Sequence, residues 1–434
     1  MSYRQQFAAS NRNTSLRAMM KLFCAAIFAT TMWAQAQTFT VLHKFTGGLD
    51  GSYPYAGLTM DRDGNLYGTT AFGGYTGSQC GVIGGCGTVF KLSHGGSGWI
   101  FNSLYQFQDN PDGSGPAGRV VIGPDGNLYG TTFYGGQTDA CGGNGEEGCG
   151  TVFKLSPPPS LCKGFRCSWL ETQLYSFSGP DGGRPEGEIA FDTAGNLYGT
   201  TEAGVHGWGS VYQLAPAQGA WTHAILYGFD DGLDGAEPIG GVQLDRAGNL
   251  YGTTSVGGER QQGTVFQLAP TVSGWTLNPV YYFQLDNGGY SPYAGVIIDQ
   301  SGNLYGGTED GDPDPVVFEL SPSNGGWTYK TLSQILFTFN IGGVEGNLTM
   351  DASGNIYGTT YFGGAHGGGS VFKLTPSASG WTSTDLYSFG GGSDGKYPVS
   401  NVVIDAQGNL YGTASNGGSG ACAHGCGVVW EITP

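Results

Sequence analysis

The sequence predicts an all-β protein, a seven-bladed β-propeller with four antiparallel strands per blade, and three observations predict it. The stretch Gly64-Asn65-Leu66-Tyr67-Gly68-Thr69-Thr70 returns in near-copies centred on Asn127, Asn196, Asn249, Asn303, Asn355 and Asn409, at steps of 62, 69, 53, 54, 52 and 54 residues. A period of about 50 residues marks a propeller or an array. Each unit divides into four short β-patterned runs separated by Gly-rich turns, and the first residues of the repeat region supply a strand that the last unit lacks.

Residues 1–36 carry Arg4, Arg12, Arg17 and Lys21, no acidic residue, an apolar run over 22–34 and the small-x-small site Ala34-Gln35-Ala36. This is the pattern of a secretory signal peptide. The apolar run is short for a membrane anchor, Met19 or Met20 would give a more ordinary start, and Cys24 has no lipobox before it. The mature protein is expected to be exported, with residues 37–434 forming one propeller.

The fourth unit shows the order of strands. Residues 241–245, 250–254, 264–268 and 275–283 read as strands, the first two joined by the turn Asp245-Arg246-Ala247-Gly248-Asn249. Outside residues 1–36 no apolar period of 3.6 residues is sustained, so no helix is expected. A blade packs both faces on neighbours, and the second strand suits that: Leu66 and Tyr67 point to opposite faces, while Gly68 leaves room for a ring or backbone. A β-solenoid is the competing array, but its coils are usually much shorter. Residues 39–45 match the end of a fourth strand, as in Leu104-Tyr105-Gln106-Phe107, and the chain closes at 428–432 on a third strand. Insertion of the N-terminal strand into the last blade would close the ring and remove an exposed edge.

Composition limits the function. Gly numbers 82 and Pro 20 of 434 residues, but they fall at fixed places beside aromatic residues and read as turns. Charged residues make up only 12%, which leaves a surface of small polar groups, and the net charge of −17 becomes −21 without residues 1–36. Nucleic acid and anionic membranes are disfavoured as partners. No span is expected in the mature chain, which should be a monomer.

Eight cysteines fall into close pairs: Cys80 with Cys86, Cys141 with Cys149, Cys162 with Cys167, and Cys422 with Cys426. Four local disulfides suit an exported chain; zinc, the rival, is disfavoured by spacings of four or more and by few nearby histidines. The recurring Asp of Asp-x-x-Gly-Asn, at Asp61, Asp192, Asp245, Asp299, Asp351 and Asp405 and replaced by Gly123 in the second copy, is read as turn chemistry. Gly391-Gly392-Ser393-Asp394-Gly395 matches a hydrolase string but joins two strands, so the nucleophile-elbow context is missing. No acid pair, Ser/His/Asp set or phosphate loop stands out.

Two places depart from the repeat. Trp327 to Phe339 spans twelve residues where five relatives span eight, and the following turn, 340–346, lacks the usual Asp-Gly and Pro. Just before, Glu309 leads into Asp310, Asp312 and Asp314, hard oxygen ligands that calcium could use.

The unit Gly-Asn-Leu-Tyr-Gly-Thr-Thr, then Gly-Gly, then Gly-Thr-Val-Phe-Lys-Leu at 87–92 and 150–155, then Gly-Trp and Leu-Tyr-x-Phe, resembles the GloVer tandem repeat, named from Gloeobacter and Verrucomicrobia. The resemblance covers nearly all of 39–434 and implies an exported bacterial protein. Members often carry a C-terminal sorting segment, which this chain, stopping at Pro434, does not show. The layout also resembles kelch propellers. Neither resemblance brings catalytic residues.

The expected function is that of a secreted, non-catalytic binding or scaffold module for a protein or glycan, with no cofactor unless calcium. Alternatives are an extracellular glycan-acting enzyme and a structural envelope component. The ligand is expected on the face that carries the loops between second and third strands and between blades, the more variable set. His206, His366 and His424, with Glu146, Glu147, Glu259 and Arg260, lie on those loops.

Overall fold

The computed structural model describes residues 37–434 except 78–79, 81–83, 97, 137–140, 142–147, 160–167, 205, 286–288, 312–313 and 335–341. The signal-peptide reading, Cys162, Cys167, Asp312, Glu146 and Glu147 lie outside the described residues. Residues Phe39–Ile432 form one compact unit, and outside it the Thr433 hydroxyl donates to the Thr38 carbonyl at 3.4 Å.

Seven four-stranded antiparallel sheets make up the fold. In the first blade the strands run Thr59–Met60, Leu66–Thr70, Thr88–Gly95 and Gly98–Gln106, from inner to outer. The fourth blade, Val242–Leu244, Leu250–Thr254, Thr264–Thr271 and Gly274–Tyr282, has a shorter inner strand and a longer third strand than its sequence pattern suggests. The third strand is extended because the hairpin is tight: Thr271 pairs with Gly274, so pairing continues to a two-residue turn. In the last blade Val403–Ile404, Leu410–Ala414 and Val428–Thr433 are completed by Thr38–Lys44 on the outer edge, the predicted closure.

The second strand carries the packing. Its residues are buried in all seven blades, and its two large side chains enter different cores. Tyr67 packs with Leu128 and Phe153 of the second blade, whereas Leu66 packs with Tyr411 and Val429 of the seventh. The apolar core is therefore seven blade-to-blade seams. Gly68 faces the ring of the third strand: a Cβ there would lie 2.5 Å from Phe90 Cζ, and Gly130, Gly252, Gly306 and Gly358 meet Phe153, Phe266, Phe318 and Phe372 in the same way. The threonines that follow lock the sheet polarly. Thr70 pairs with Thr88 at 2.9 Å within its blade, while Thr253, Thr359 and Thr413 donate across a seam to the carbonyls of Ala294, Ser400 and Ala56.

The Asp-x-x-Gly-Asn turns are held by their own carboxylates. Asp61 accepts from the Asn65 backbone N–H at 2.9 Å, its side-chain amide at 2.7 Å and the Tyr67 hydroxyl at 3.0 Å. These bonds hold Asp61 below the usual carboxylate range against the burial that raises it. In the second copy, where Gly123 stands first, Asp125 takes over: it accepts from Asn127, Tyr129 and Lys154, and its pKa falls to about 2. At the other end of the sheet, strand-four tyrosines cap the Asp-Gly turns, as Tyr227 does Asp234 at 3.1 Å. In the closing strand His43 stands in, 3.2 Å from Asp50.

Candidate functional site at the mouth of the central channel

Each outer strand passes to the next inner strand through a loop of repeating form. Just before its proline, that loop holds a residue in the left-handed region: Tyr53 (φ 55°), Arg184 (56°), Glu237 (54°), Ser291 (52°) and Tyr397 (60°), with Gly115 (63°) in the second blade. For a non-glycine residue this costs of order 1–3 kcal/mol and persists only where surrounding bonds impose it. The bonds are present. Tyr53 N–H donates to the Cys426 carbonyl at 2.9 Å and the Tyr53 carbonyl accepts from Ala71; Arg184 is held likewise between Cys149 and Glu202, and Gly115 between Cys86 and Phe133.

In these three loops the accepting carbonyl belongs to a disulfide cysteine, Cys426, Cys149 or Cys86. Cys80–Cys86, Cys141–Cys149 and Cys422–Cys426 are formed, each between a second and a third strand. Each bridge fixes a carbonyl that anchors the loop of the following blade. The predicted pairing is thus present for the three described pairs, and it bears on the rim of the channel.

After the proline, or after Val344 in the sixth blade, which has none, come three positions that alternate in character. The middle one is always small: Ala56, Gly118, Gly187, Gly240, Ala294, Gly346 and Ser400. Crowding requires it, since a Cβ on Gly240 would stand 2.2 Å from the Gly295 nitrogen and one on Gly346 2.6 Å from Ser400. The flanking positions vary, and together the three line a cavity of about 190 Å³ at the mouth of the central channel.

Its floor is a polar bridge across the ring. Glu188 forms an ion pair with Arg119 and accepts from the Asn347 amide at 3.1 Å, and the Asn347 carbonyl oxygen accepts from Gly295 N–H at 2.8 Å. Arg119, Glu188 and Asn347 also line a second cavity of about 370 Å³ among the inner strands, so they partition the channel.

Above the floor, glutamates and tyrosines are spread around the mouth: Glu186 comes from the third blade, Tyr293 from the fifth, Glu345 from the sixth and Tyr55 from the first. Glu186 and Glu345 line the cavity and have no hydrogen-bond or ionic partner among the described residues. Protein surrounds both carboxyls on most sides although each residue keeps some contact with channel water. Burial, then repulsion by Glu202, pushes Glu186 up to about 7; burial, then Glu309 and Glu186, pushes Glu345 up to about 8. Glu202 is balanced by Arg184 at 3.6 Å. Tyr55 and Tyr293 project into the same cavity and are 40% and 36% exposed. Tyr361 and Tyr397 meet at a tilt on the rim, their ring centres 4.6 Å apart.

The residues named from sequence lie elsewhere on these loops. His206, Glu259, Arg260, His366 and His424 are exposed, and none lines the cavity. Asp310 pairs through its backbone with Tyr290, and Asp314 is buried at 7% exposure. Among the described residues no group of three His, Cys, Asp or Glu side chains is placed to hold a metal ion. The residues that sequence reasoning missed, Arg119, Glu186, Glu188, Glu345 and Asn347, carry a signal: aligned on the proline or on the inner strand, the units vary at two positions around an invariably small third.

A model of the Gloeobacter/Verrucomicrobia repeat matches residues 24–158, 78–314 and 276–434. No curated relative matches the chain. Among solved structures, a candidate 6-phosphogluconolactonase from Bacteroides uniformis is 14% identical over 76% of this chain and 85% of its own, with a TM-score of 0.47. A second from Bacteroides fragilis is 13% identical over 75% and 83%, at 0.44. A candidate glucose dehydrogenase from Thermus thermophilus is 13% identical over 92% and 100%, at 0.41.

Proposed function

This chain belongs to the Gloeobacter/Verrucomicrobia repeat family, and from that premise we propose that it is an exported, non-catalytic binding module whose ligand enters the mouth of the central channel. The carrying observation is the cavity lined by the two positions at which the units vary, on a frame that is otherwise repetitive. Rigid scaffolds with variable loops are where binding concentrates. Tyrosine faces beside carboxylates suit the apolar face and hydroxyls of a sugar, and the cavity has room for one ring rather than a protein domain. Three disulfides agree with export, and no helix among the described residues is long and apolar enough to cross a membrane.

A second reading has its own observation: two glutamates with raised pKa line one cavity, as an acid and base acting on a glycan would. A glycan array followed by calorimetry and a hydrolysis screen on the same glycans separates the two. Binding without turnover, weakened at least tenfold in Tyr293→Ala, is expected. Turnover would transfer the protein to the enzyme class, and the absence of both would leave an envelope component.

A further inference from the structure

We infer that the channel mouth selects a ligand bearing an ammonium group on a sugar-sized frame, held between the Glu186 and Glu345 carboxylates and the faces of Tyr55 and Tyr293. The inference rests on the proposed binding role and names the charge of its ligand. Floor and mouth differ in how their charge is satisfied. Glu188 has Arg119 and Asn347, and Glu202 has Arg184. Glu186 and Glu345, enclosed in the cavity, have no partner among the described residues, and Glu309 and Glu186 add repulsion at Glu345. Enclosed carboxylates without a cation are costly, so the site is completed by a ligand that brings one.

The size and kind of that cation follow from the surroundings. A small divalent ion needs several oxygens converging on one point, and no described group of three acidic or His side chains does so. The carboxylates are instead spread around the mouth with tyrosines between them, which suits an organic cation that can meet ring faces as well as charge. The chain shows the same chemistry on its own rim. The Lys396 ammonium lies 4.2 Å from the Tyr397 ring centre, and the Arg184 guanidinium 5.8 Å from that of Phe133.

Calorimetry at pH 6.0, where the glucosamine amines are charged and both carboxyls still hold their protons, tests the inference with three probes: a β-1,4-linked glucosamine tetramer, its fully N-acetylated counterpart and spermidine. The glucosamine tetramer is expected to bind at least tenfold more tightly than the acetylated one and to release protons, seen as a heat that depends on the buffer, as the two carboxyls ionise. Glu186→Gln with Glu345→Gln should weaken it at least tenfold and abolish the proton release while leaving the melting temperature unchanged or higher, which a misfolded variant would not do. Spermidine bound as tightly as the tetramer would support the ammonium and remove the sugar frame. Equal binding of the acetylated tetramer, unchanged binding by the double variant, or no binding of either cation at millimolar concentration would overturn the inference. A neutral glycan whose binding is lost in Tyr293→Ala would do so while leaving the binding-module role intact.

Discussion

Glu345 concentrates the conflict between stability and site. Its carboxyl has an ordinary value of 4.5 and is raised to about 8 in the folded chain. A raised folded value means that the folded state holds the proton more tightly, so the contribution is fully present below about pH 4.5 and is lost as pH rises through about 8. Glu345→Gln should therefore leave the unfolding free energy unchanged at pH 4 and raise it at pH 9 by about 1–3 kcal/mol, once screening by channel water is allowed for. A variant no more stable than the parent at pH 9 would show that Glu345 is solvated and the mouth wide open. Glu186, raised to about 7 and without a described partner, belongs to the same balance.

Within one blade, the second and third strands fit as glycine against ring. Where the ring is Phe the fit is apolar on both sides, but the third blade places Tyr212 against Gly199, and its hydroxyl is buried with no partner among the described residues. An unsatisfied buried hydroxyl costs about 1–3 kcal/mol, and deleting it leaves a phenyl ring of the shape used in five other blades. Tyr212→Phe is expected to raise the melting temperature by a few degrees in thermal unfolding followed by near-UV circular dichroism. A fall would mean that the hydroxyl has found a water or a backbone partner.

The whole molecule depends on closure. Phe39 stacks on Tyr387 at 3.8 Å and packs in the seam between the sixth and seventh blades, while Phe45, fully buried, belongs to the seam between the seventh and first. One strand thus serves two seams and covers an edge that would otherwise be exposed. Deleting residues 37–46 should lower the melting temperature sharply and make it dependent on protein concentration as open edges associate. Melting identical to the parent would refute closure by this strand.

Blade count, strand order and turns were legible in the sequence alone, because they rest on patterns within a repeat, and each repeat restates them. Leu66 and Tyr67 alternate across the sheet, Gly68 vacates space for Phe90, and Asp61 closes its own turn, all legible from spacing. Even where the pattern broke, at Gly123, the replacement Asp125 stood two residues away. The departures at Glu309 and at 340–346 were visible as irregularities, but not that one brings Glu345 into the same cavity as Glu186, 159 positions earlier. That juxtaposition was decided only when the ring closed, since closure brings equivalent positions of distant repeats to one axis. The same closure makes Glu188 of the third blade a partner for Asn347 of the sixth. The exposed histidines recur at equivalent places on the loops, yet the ring holds them apart from the cavity, because equivalence in a repeat becomes separation around a circle everywhere except at its centre.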